Sequence, residues 1–334
     1  MNAPKCSPSD SIDFLVASPR VVRGTEAARA QPDQATPPAH DAFTRLLHRR
    51  EPDPATLWAA AAPQVRRGAG VLVLDDSTLD KPHARQLGLL TRHWSGKHRR
   101  VVQGSNLLTL LWTDGAALLL CDYRLYAKAV DQLSKNDHFR TLLATAQDRG
   151  FAPEGVVFDG WYASPEKLQA IRGHGWRWVT QLKAKRTVDP GGGNRPLGAC
   201  AISERGTRVH LQGYGFVLAF LIVLPDGDKE YWATRDLTMG ELTRRKYAAF
   251  AWGLAVDHRG LKQRCGVERA EVRAARAQRN HINCARRAFL RLAQHRLVTG
   301  ISWWAAKTAI IREALRLYLA QPRHTLAATT EATA

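Results

Sequence analysis

Two aspartates follow apolar segments of the chain, and paired carboxylates at such positions can hold a divalent metal ion. Asp76 ends the segment VLVLDD, and Asp159 follows VVF. Continuous apolar runs of this length predict buried strands, and ligand crevices form at strand ends in open α/β sheets. Two carboxylates there repel each other unless a cation lies between them. Mg²⁺ accepts one or two carboxylates and bridges phosphate oxygens, so the pattern indicates phosphoryl chemistry; a plain turn-capping role remains the alternative.

Asp75 competes with Asp76 for the first position of such a site. Successive side chains of a strand point to opposite faces of the sheet. Only one of the two neighbouring carboxylates can therefore enter the site.

The charge of the chain points to a polyanionic partner. Its 334 residues contain 49 Lys and Arg against 30 Asp and Glu, a net charge of +19. Residues 81–100 read KPHARQLGLLTRHWSGKHRR, and residues 258–300 contain ten Arg and one Lys but only two acids, Glu268 and Glu271. A surface with such an excess of positive charge attracts nucleic acid. The usual alternative explanation for a run of charged residues is a solvated face.

Several classes of protein are excluded or disfavoured. The longest apolar run, residues 216–224, is far shorter than the roughly 20 residues of a membrane helix. The first residues show no cationic-then-apolar signal pattern. Five cysteines, an odd number without a CxxC pair, are typical of a reducing compartment and of scattered buried thiols.

The elements that must position the two aspartates form a mixed α/β pattern. After the first strand, residues 101–113 and 117–127 predict two strands joined by a hairpin at Asp114-Gly115. Helices, further strands and a long helical region follow. No Gly-rich phosphate loop follows the first strand, which disfavours a nucleotide-binding fold. We therefore expect a ribonuclease H-like sheet with helices on its faces.

The same pattern predicts three regions. Residues 1–66 form an N-terminal linker and helical region, residues 67–265 a ribonuclease H-like core with a β-rich insertion at about 186–240, and residues 266–334 a basic helical region. From residue 241 to about 319 nearly everything is expected to be helical, with breaks near Gly260, Gly266 and Gly300.

Several segments together resemble the DDE-superfamily transposases of bacterial insertion sequences. They are DDSTLDKP (75–82), RHWSGKHRRVVQG (92–104), FDGWY (158–162), HRGLKQRCGVER (258–269), RAQRNHI (276–282) and ISWWAAKTAIIREA (301–314). The resemblance implies a ribonuclease H-like core that binds the ends of a mobile DNA element. It also implies three acids and two divalent ions, Mg²⁺ or Mn²⁺, that cut DNA and join it to a target.

The resemblance places the first acid at Asp76 and the second at Asp159. The family has a glutamate seven residues before the lysine of HRGLKQ, and that position is Ala255 here. Asp257, two residues further on, is about 200° away around the helix and makes a weak substitute. The alternative to an active transposase is therefore a decayed copy that only binds DNA.

The resemblance and the basic segments together suggest DNA contacts and partners. The predicted DNA-binding residues are Lys262, Arg259, His258, Lys97, Arg99 and Arg100. A satisfied structural histidine is an equal alternative for His258. Double-stranded DNA, both element ends and target, is the expected partner, with a homodimer on DNA and no membrane association. The expected location is the bacterial cytoplasm at the nucleoid. A structural or RNA-binding protein is a further alternative.

Overall fold

A computed structural model describes residues 4–20, 23–32, 36–95 and 99–322 of the chain. Its centre is a large mixed β-sheet with helices on both faces, as the apolar strand pattern predicts. The strands are β1 (Val71–Asp80), β2 (Thr91–Ser95), β3 (Arg100–Thr113), β4 (Leu118–Tyr126), β5 (Gly155–Phe158), β6 (Trp178–Leu182), β7 (Thr187–Asp189), β8 (Arg195–Pro196), β9 (Thr207–Leu211), β10 (Gly215–Val223) and β11 (Lys229–Thr234).

The strand order combines an antiparallel start with parallel neighbours. It is β2-β3-β1-β5-β6-β11-β10-β9-β7-β8, with β4 also paired to β3. β1 is antiparallel to β3 and parallel to β5, which is parallel to β6. The predicted hairpin between β3 and β4 is present, and Gly115 adopts the positive φ of +100° that its turn requires. This arrangement is consistent with the predicted ribonuclease H-like fold.

The first strand extends beyond the acids that were expected to end it. β1 continues through residues 77–80, which pair with residues 104–107 of β3. The long partner strand supplies hydrogen-bonding groups for these polar residues. Asp75 and Asp76 therefore lie within β1, at the level where its shorter parallel neighbour β5 ends.

The β-rich segment after β6 extends the same sheet. β11 pairs antiparallel with β6, and β10, β9, β7 and β8 continue outward from it. The apolar run at residues 216–224 forms most of β10, with Val217, Ala219 and Phe220 buried. Within the described part of the chain, no helix is long and apolar enough to cross a bilayer.

Helices cover the sheet and the N-terminal part packs against them. They are α1 (Pro8–Ala17), α2 (Gly24–Arg29), α3 (Ala42–Arg49), α4 (Ala55–Ala61), α5 (Lys128–Asp131), α6 (Lys135–Asp148), α7 (Pro165–Gly173), α8 (Glu241–Arg264), α9 (Ala275–Thr299) and α10 (Trp303–Ala320). α6 packs against β3 and β4, whereas α8 packs against β1 and β5 and α9 against β4. α1 contacts α9, with Ile12 and Leu15 in the main core.

The long helical region breaks at two of the three predicted glycines. Gly266 and Gly300 adopt positive φ angles of 60° and 73° and follow the ends of α8 and α9. The break predicted at Gly260 is wrong, because α8 runs through this residue to Arg264. A Cβ atom at Gly260 would lie 2.7 Å from the ring of Phe289, so close helix packing explains the glycine.

Candidate active site

A cleft of about 590 Å³ lies where β1 and β5 bring their polar residues together. Both acidic and basic residues line it. The acids are Asp75, Asp76, Asp80 and Asp159, and the bases are Arg92, Lys135 and Lys262. The structure thus places both predicted acids, Asp76 and Asp159, and the predicted DNA-binding Lys262 in one cleft.

The register of β1 and β5 places Asp75 beside Asp159. Leu74 pairs with Phe158 in this parallel pair, so the next residues along the two strands are Asp75 and Asp159. Neighbouring strands lie about 4.8 Å apart, and residues directly opposite share a face of the sheet. Continued by one residue past the last pair of β5, this register brings Asp75 and Asp159 to adjacent positions. Asp159 also accepts a hydrogen bond from the backbone N–H of Trp161 at 2.6 Å.

This face is the one covered by α8 and α9. On β3, the residue opposite Asp75 is Thr109. The Thr109 hydroxyl lies 3.1 Å from Nε2 of His258 on α8 and accepts a hydrogen bond of 2.6 Å from Arg286 on α9. Asp75 is therefore the member of the Asp75-Asp76 pair that faces the long helix.

Asp76 projects from the opposite face, where three donors hold its carboxylate. Lys135 donates to Oδ2 at 2.8 Å, Asn106 donates to the same oxygen at 2.5 Å, and the Tyr162 hydroxyl donates to Oδ1 at 2.9 Å. Lys135 is the first residue of α6, and Tyr162 stacks on Phe139 of that helix. Asp76 is thus already neutralised by an ammonium group of the protein.

The aspartates of the cleft influence one another's pKa. Burial, followed by the charges of Asp76 and Asp159, raises the pKa of Asp75 to about 8. A carboxyl with such a pKa is largely protonated at neutral pH unless a cation or another donor stabilises its ionised form. Burial and the neighbouring Asp76 likewise raise the pKa of the Tyr162 hydroxyl, which therefore remains a hydrogen-bond donor to Asp76.

The position of the expected third acid lies near this level of the sheet. Near its start, α8 places Tyr247 against Gly155 of β5, and near its end Lys262 donates to the carbonyl of Thr78 on β1. At about 1.5 Å per helical residue and 3.3 Å per strand residue, Ala255 comes level with Asp75. Ala255 and Lys262 are seven residues apart and so lie on nearly the same side of α8. Ala255 is exposed and has no ligand atom.

Asp257 and His258 lie in the packed layer beneath α8. Asp257 is buried, with its Oδ2 3.9 Å from an Arg286 nitrogen, and burial raises its pKa to about 6. It does not line the cleft, because it points towards α9. His258 is buried against Thr109, and burial lowers its pKa well below the ordinary value. His258 is therefore a structural histidine, which was the alternative prediction, and its buried ring is not available to contact DNA.

The other predicted DNA-binding residues differ in their surroundings. Arg259, Arg99 and Arg100 are exposed. Lys262 is partly buried and forms an ion pair of 2.8 Å with Glu268. Lys97 lies outside the described residues.

Sequence reasoning missed the residues that hold Asp76. Lys135 and Asn106 were not singled out, and Tyr162 entered only as part of the FDGWY segment. The available signal for Lys135 was the helix start S-K-N-D, where Ser134 and Asp137 form a capping box. That motif places Lys135 in the first turn of α6 but does not identify the carboxylate 59 residues earlier that it reaches.

The donor set suits one divalent cation better than the expected pair of ions. Asp75 and Asp159 offer two adjacent carboxylates, which Mg²⁺ accepts together with water or phosphate oxygens. Across the described ranges, however, no three His, Cys, Asp or Glu side chains are grouped so that they could hold a metal together. Ala255 and the engagement of Asp76 with Lys135 both reduce the number of free carboxylates.

The chain matches the model of a known family. A family model described as DDE superfamily endonuclease matches residues 27–197, just over half of the chain. The match includes Asp75, Asp76 and Asp159 and ends before α8, so it does not extend to Ala255. No curated protein matches the chain significantly.

Proposed function

Because the chain belongs to the DDE superfamily endonucleases, we propose that it is a transposase-type protein that binds double-stranded DNA and acts on its phosphodiester bonds. The observation that supports this proposal is the cleft that Asp75, Asp76 and Asp159 line together with Arg92, Lys135 and Lys262. Adjacent carboxylates would hold the cation that phosphoryl transfer needs, and the exposed guanidinium group of Arg92 would attract the incoming phosphate.

We propose Asp75 and Asp159 as the acid pair of this cleft, with Asp76 in a positioning role. The family resemblance gave Asp76 as the first acid, with Asp75 as its rival. The register supports Asp75, since Leu74 pairs with Phe158 and the next residues of the two segments are Asp75 and Asp159. Asp76 instead holds Lys135 at the cleft wall.

A divalent cation, which this family typically uses, would be held by Asp75 and Asp159 and would supply charge neutralisation at the scissile phosphate. Lys135 forms an ion pair with Asp76 and so neutralises that carboxylate within the cleft. Asn106 and Tyr162 fix the Asp76 carboxylate, and through it they orient the Lys135 ammonium group. The basic residues Arg92, Lys262 and Arg259 would contact neighbouring phosphates of the duplex.

The proposed reaction has two in-line phosphoryl transfers. Water attacks a phosphodiester at an element end and frees a 3′ hydroxyl, and that hydroxyl then attacks a phosphodiester of the target. We further propose that two copies act together on paired DNA ends, which matches the two ends that such an element must join.

A second candidate function is DNA binding without cleavage. Ala255 favours it, because this position lies level with Asp75 and on the Lys262 side of α8, where a glutamate would complete three carboxylates. A chain with two free carboxylates retains the basic DNA surface but binds a divalent cation more weakly.

Restoring the acid separates the two candidates. The wild-type chain, Ala255→Glu and Ala255→Gln are incubated with terminal-repeat DNA and Mg²⁺ or Mn²⁺, and Mn²⁺ affinity is measured separately by calorimetry. Removing one catalytic electrostatic contact costs about 10²–10³ in rate, so we expect Ala255→Glu to cut at least about a hundredfold faster and to bind Mn²⁺ more tightly. Gln, which matches its size without its charge, should do neither.

The outcomes have distinct meanings. Cleavage by the wild-type chain that Ala255→Glu does not increase would show that the acid is supplied elsewhere. Cleavage by Ala255→Glu alone would identify the natural chain as a DNA-binding copy. If no variant binds DNA, the proposed function is wrong.

A further inference from the structure

A second cavity of about 620 Å³ adjoins the cleft, and Trp161 lines both. It is formed where β6 ends, beside the start of α7 and the turn before β10. The cavity has no part in the proposed chemistry described above. Its lining nevertheless has the composition of an anion site.

Three cationic side chains line this cavity. Lys183, Lys185 and Arg186 follow β6 directly, and none of the described lining residues is acidic. Within the described part of the chain, these three side chains form no ion pair. Lys183 and Lys185 are exposed, whereas Arg186 is partly buried, and this burial lowers the pKa of its guanidinium group. An unpaired, partly buried guanidinium group is stabilised by a bound anion.

The N-terminus of α7 opens into the same cavity. Ser164 and Pro165, the N-cap and first residue of this nine-residue helix, both line it. Ser164 makes no side-chain capping hydrogen bond to the helix. The free backbone N–H groups of a helix start and the helix dipole favour a phosphate group. The cavity is thus lined both by the three cationic side chains and by the start of α7 with its serine.

Trp161 separates this cavity from the acidic cleft and presents a flat apolar surface. It is 52% exposed and is held edge-on by the ring of Tyr162 at a centroid distance of 4.9 Å. The ammonium groups of Lys135 and Lys167 lie 5.6 and 5.7 Å from its ring centroid. An exposed indole beside cations is a surface on which a nucleic-acid base stacks while its phosphates are neutralised.

We infer that this cavity binds a backbone phosphate of a DNA strand that has left the duplex, while Trp161 stacks the base between that phosphate and the phosphodiester in the cleft. Stacking on Trp161 requires an unpaired base, since paired bases are covered by their neighbours in the duplex. The inference rests on the proposed function and specifies the form of DNA that the site accepts.

The test compares two DNA probes with the full-length chain. One is a blunt duplex, and the other is the same duplex with an unpaired 3′ arm that contains 2-aminopurine. We expect the wild-type chain to bind the armed probe at least about fivefold more tightly, the lower end of one base stacked on an aromatic ring. The 2-aminopurine fluorescence should be quenched on binding.

Matched variants assign the effect to this cavity. Trp161→Ala and the double variant Lys183→Ala/Lys185→Ala should remove the preference for the arm while blunt-duplex affinity changes by less than about twofold. Trp161→Phe should retain part of the quenching because it keeps an aromatic face. Trp252→Ala, at another exposed tryptophan, and Arg205→Ala/Arg312→Ala, which removes two exposed charges elsewhere, should retain the preference.

Two results would overturn the inference. The first is equal binding of the two probes by the wild-type chain. The second is a Lys183/Lys185 double variant that loses affinity for both probes equally, which would indicate general charge attraction. In both cases the duplex is still bound, so the proposed function stands; a wild-type chain that binds neither probe would refute both.

Discussion

At the residue scale, the ion pair between Lys135 and Asp76 distinguishes this cleft from a simple group of acids. Both side chains are mostly buried, with 15% and 20% exposed, and their atoms lie 2.8 Å apart. Removing one member of such a pair leaves a charge with little solvent to stabilise it. The protein thus places a permanent cation where a metal ion would otherwise compete for Asp76.

The interaction between these two residues can be measured by a double-mutant cycle. Lys135→Met retains most of the side-chain volume but leaves Asp76 without its cation, so we expect a loss of about 1–3 kcal/mol in the free energy of unfolding. Lys135→Met/Asp76→Asn should recover most of this loss, because the amide can still pair with Tyr162. Urea denaturation of the four proteins gives the coupling energy. Additive losses would show that the two side chains act independently.

At the element scale, α8 provides the site with Lys262 and with the position of Ala255, and its closeness to α9 depends on glycine. Gly260 faces Phe289, and a Cβ atom there would lie 2.7 Å from two ring carbons. Gly253 belongs to the same helix, but its Cβ atom would be 3.7 Å from Leu118, an ordinary contact. The two glycines therefore form a matched pair that differs in packing.

Alanine substitution at these two positions should have opposite effects. Alanine favours a helix over glycine by about 1 kcal/mol, so Gly253→Ala should stabilise the protein by up to that amount. Gly260→Ala forces Phe289 or the helix to move, at a cost of about 1–3 kcal/mol, and should lower the thermal midpoint despite the same helix gain. Thermal unfolding of both variants tests this. Similar shifts for the two variants would show that α8 and α9 adjust freely at this contact.

At the scale of the whole molecule, the net charge of +19 must be matched by an anionic partner or by solvent ions. Arg99 and Arg100 extend this charge at the end of the β2–β3 hairpin, where both are exposed. The acids concentrated in the cleft lie among these basic surfaces. Such a distribution attracts a DNA duplex and leaves a local place for a cation.

The salt dependence of DNA affinity measures the number of phosphates that this surface contacts. The logarithm of the binding constant should fall linearly with the logarithm of salt concentration, by about 0.9 per phosphate contact. Arg99→Ala/Arg100→Ala should weaken duplex binding irrespective of sequence and make the slope shallower by about 1–2. Arg205→Ala/Arg312→Ala removes equal charge and should change the slope less. Stronger binding of RNA than of DNA in a competition at fixed salt would favour the RNA-binding alternative.

Much of the fold followed from local pattern. Apolar runs predicted β1 and β5, and the Asp114-Gly115 turn predicted the hairpin of β3 and β4. Gly260 shows where such local rules fail: helix propensity treats glycine as a break, whereas packing against Phe289, 29 residues later, retains it within α8. The length of β1 was missed for the same reason, because β3 supplies the partners of its polar end.

The sequence by itself determined the candidate acids at two strand ends, the basic character of the chain and the alanine at position 255, since residue identities and short spacings are local properties. Only the tertiary structure decided that Asp75 and Asp76 meet different helices, that Lys135 neutralises Asp76, and that a basic cavity continues past Trp161. Alternation along β1 places Asp75 and Asp76 on opposite faces of the sheet. The register of β5 and the packing of α6 and α8 decide which residues each of the two side chains contacts. Those contacts join residues that are tens of positions apart, and they form only when the sheet and its helices pack together.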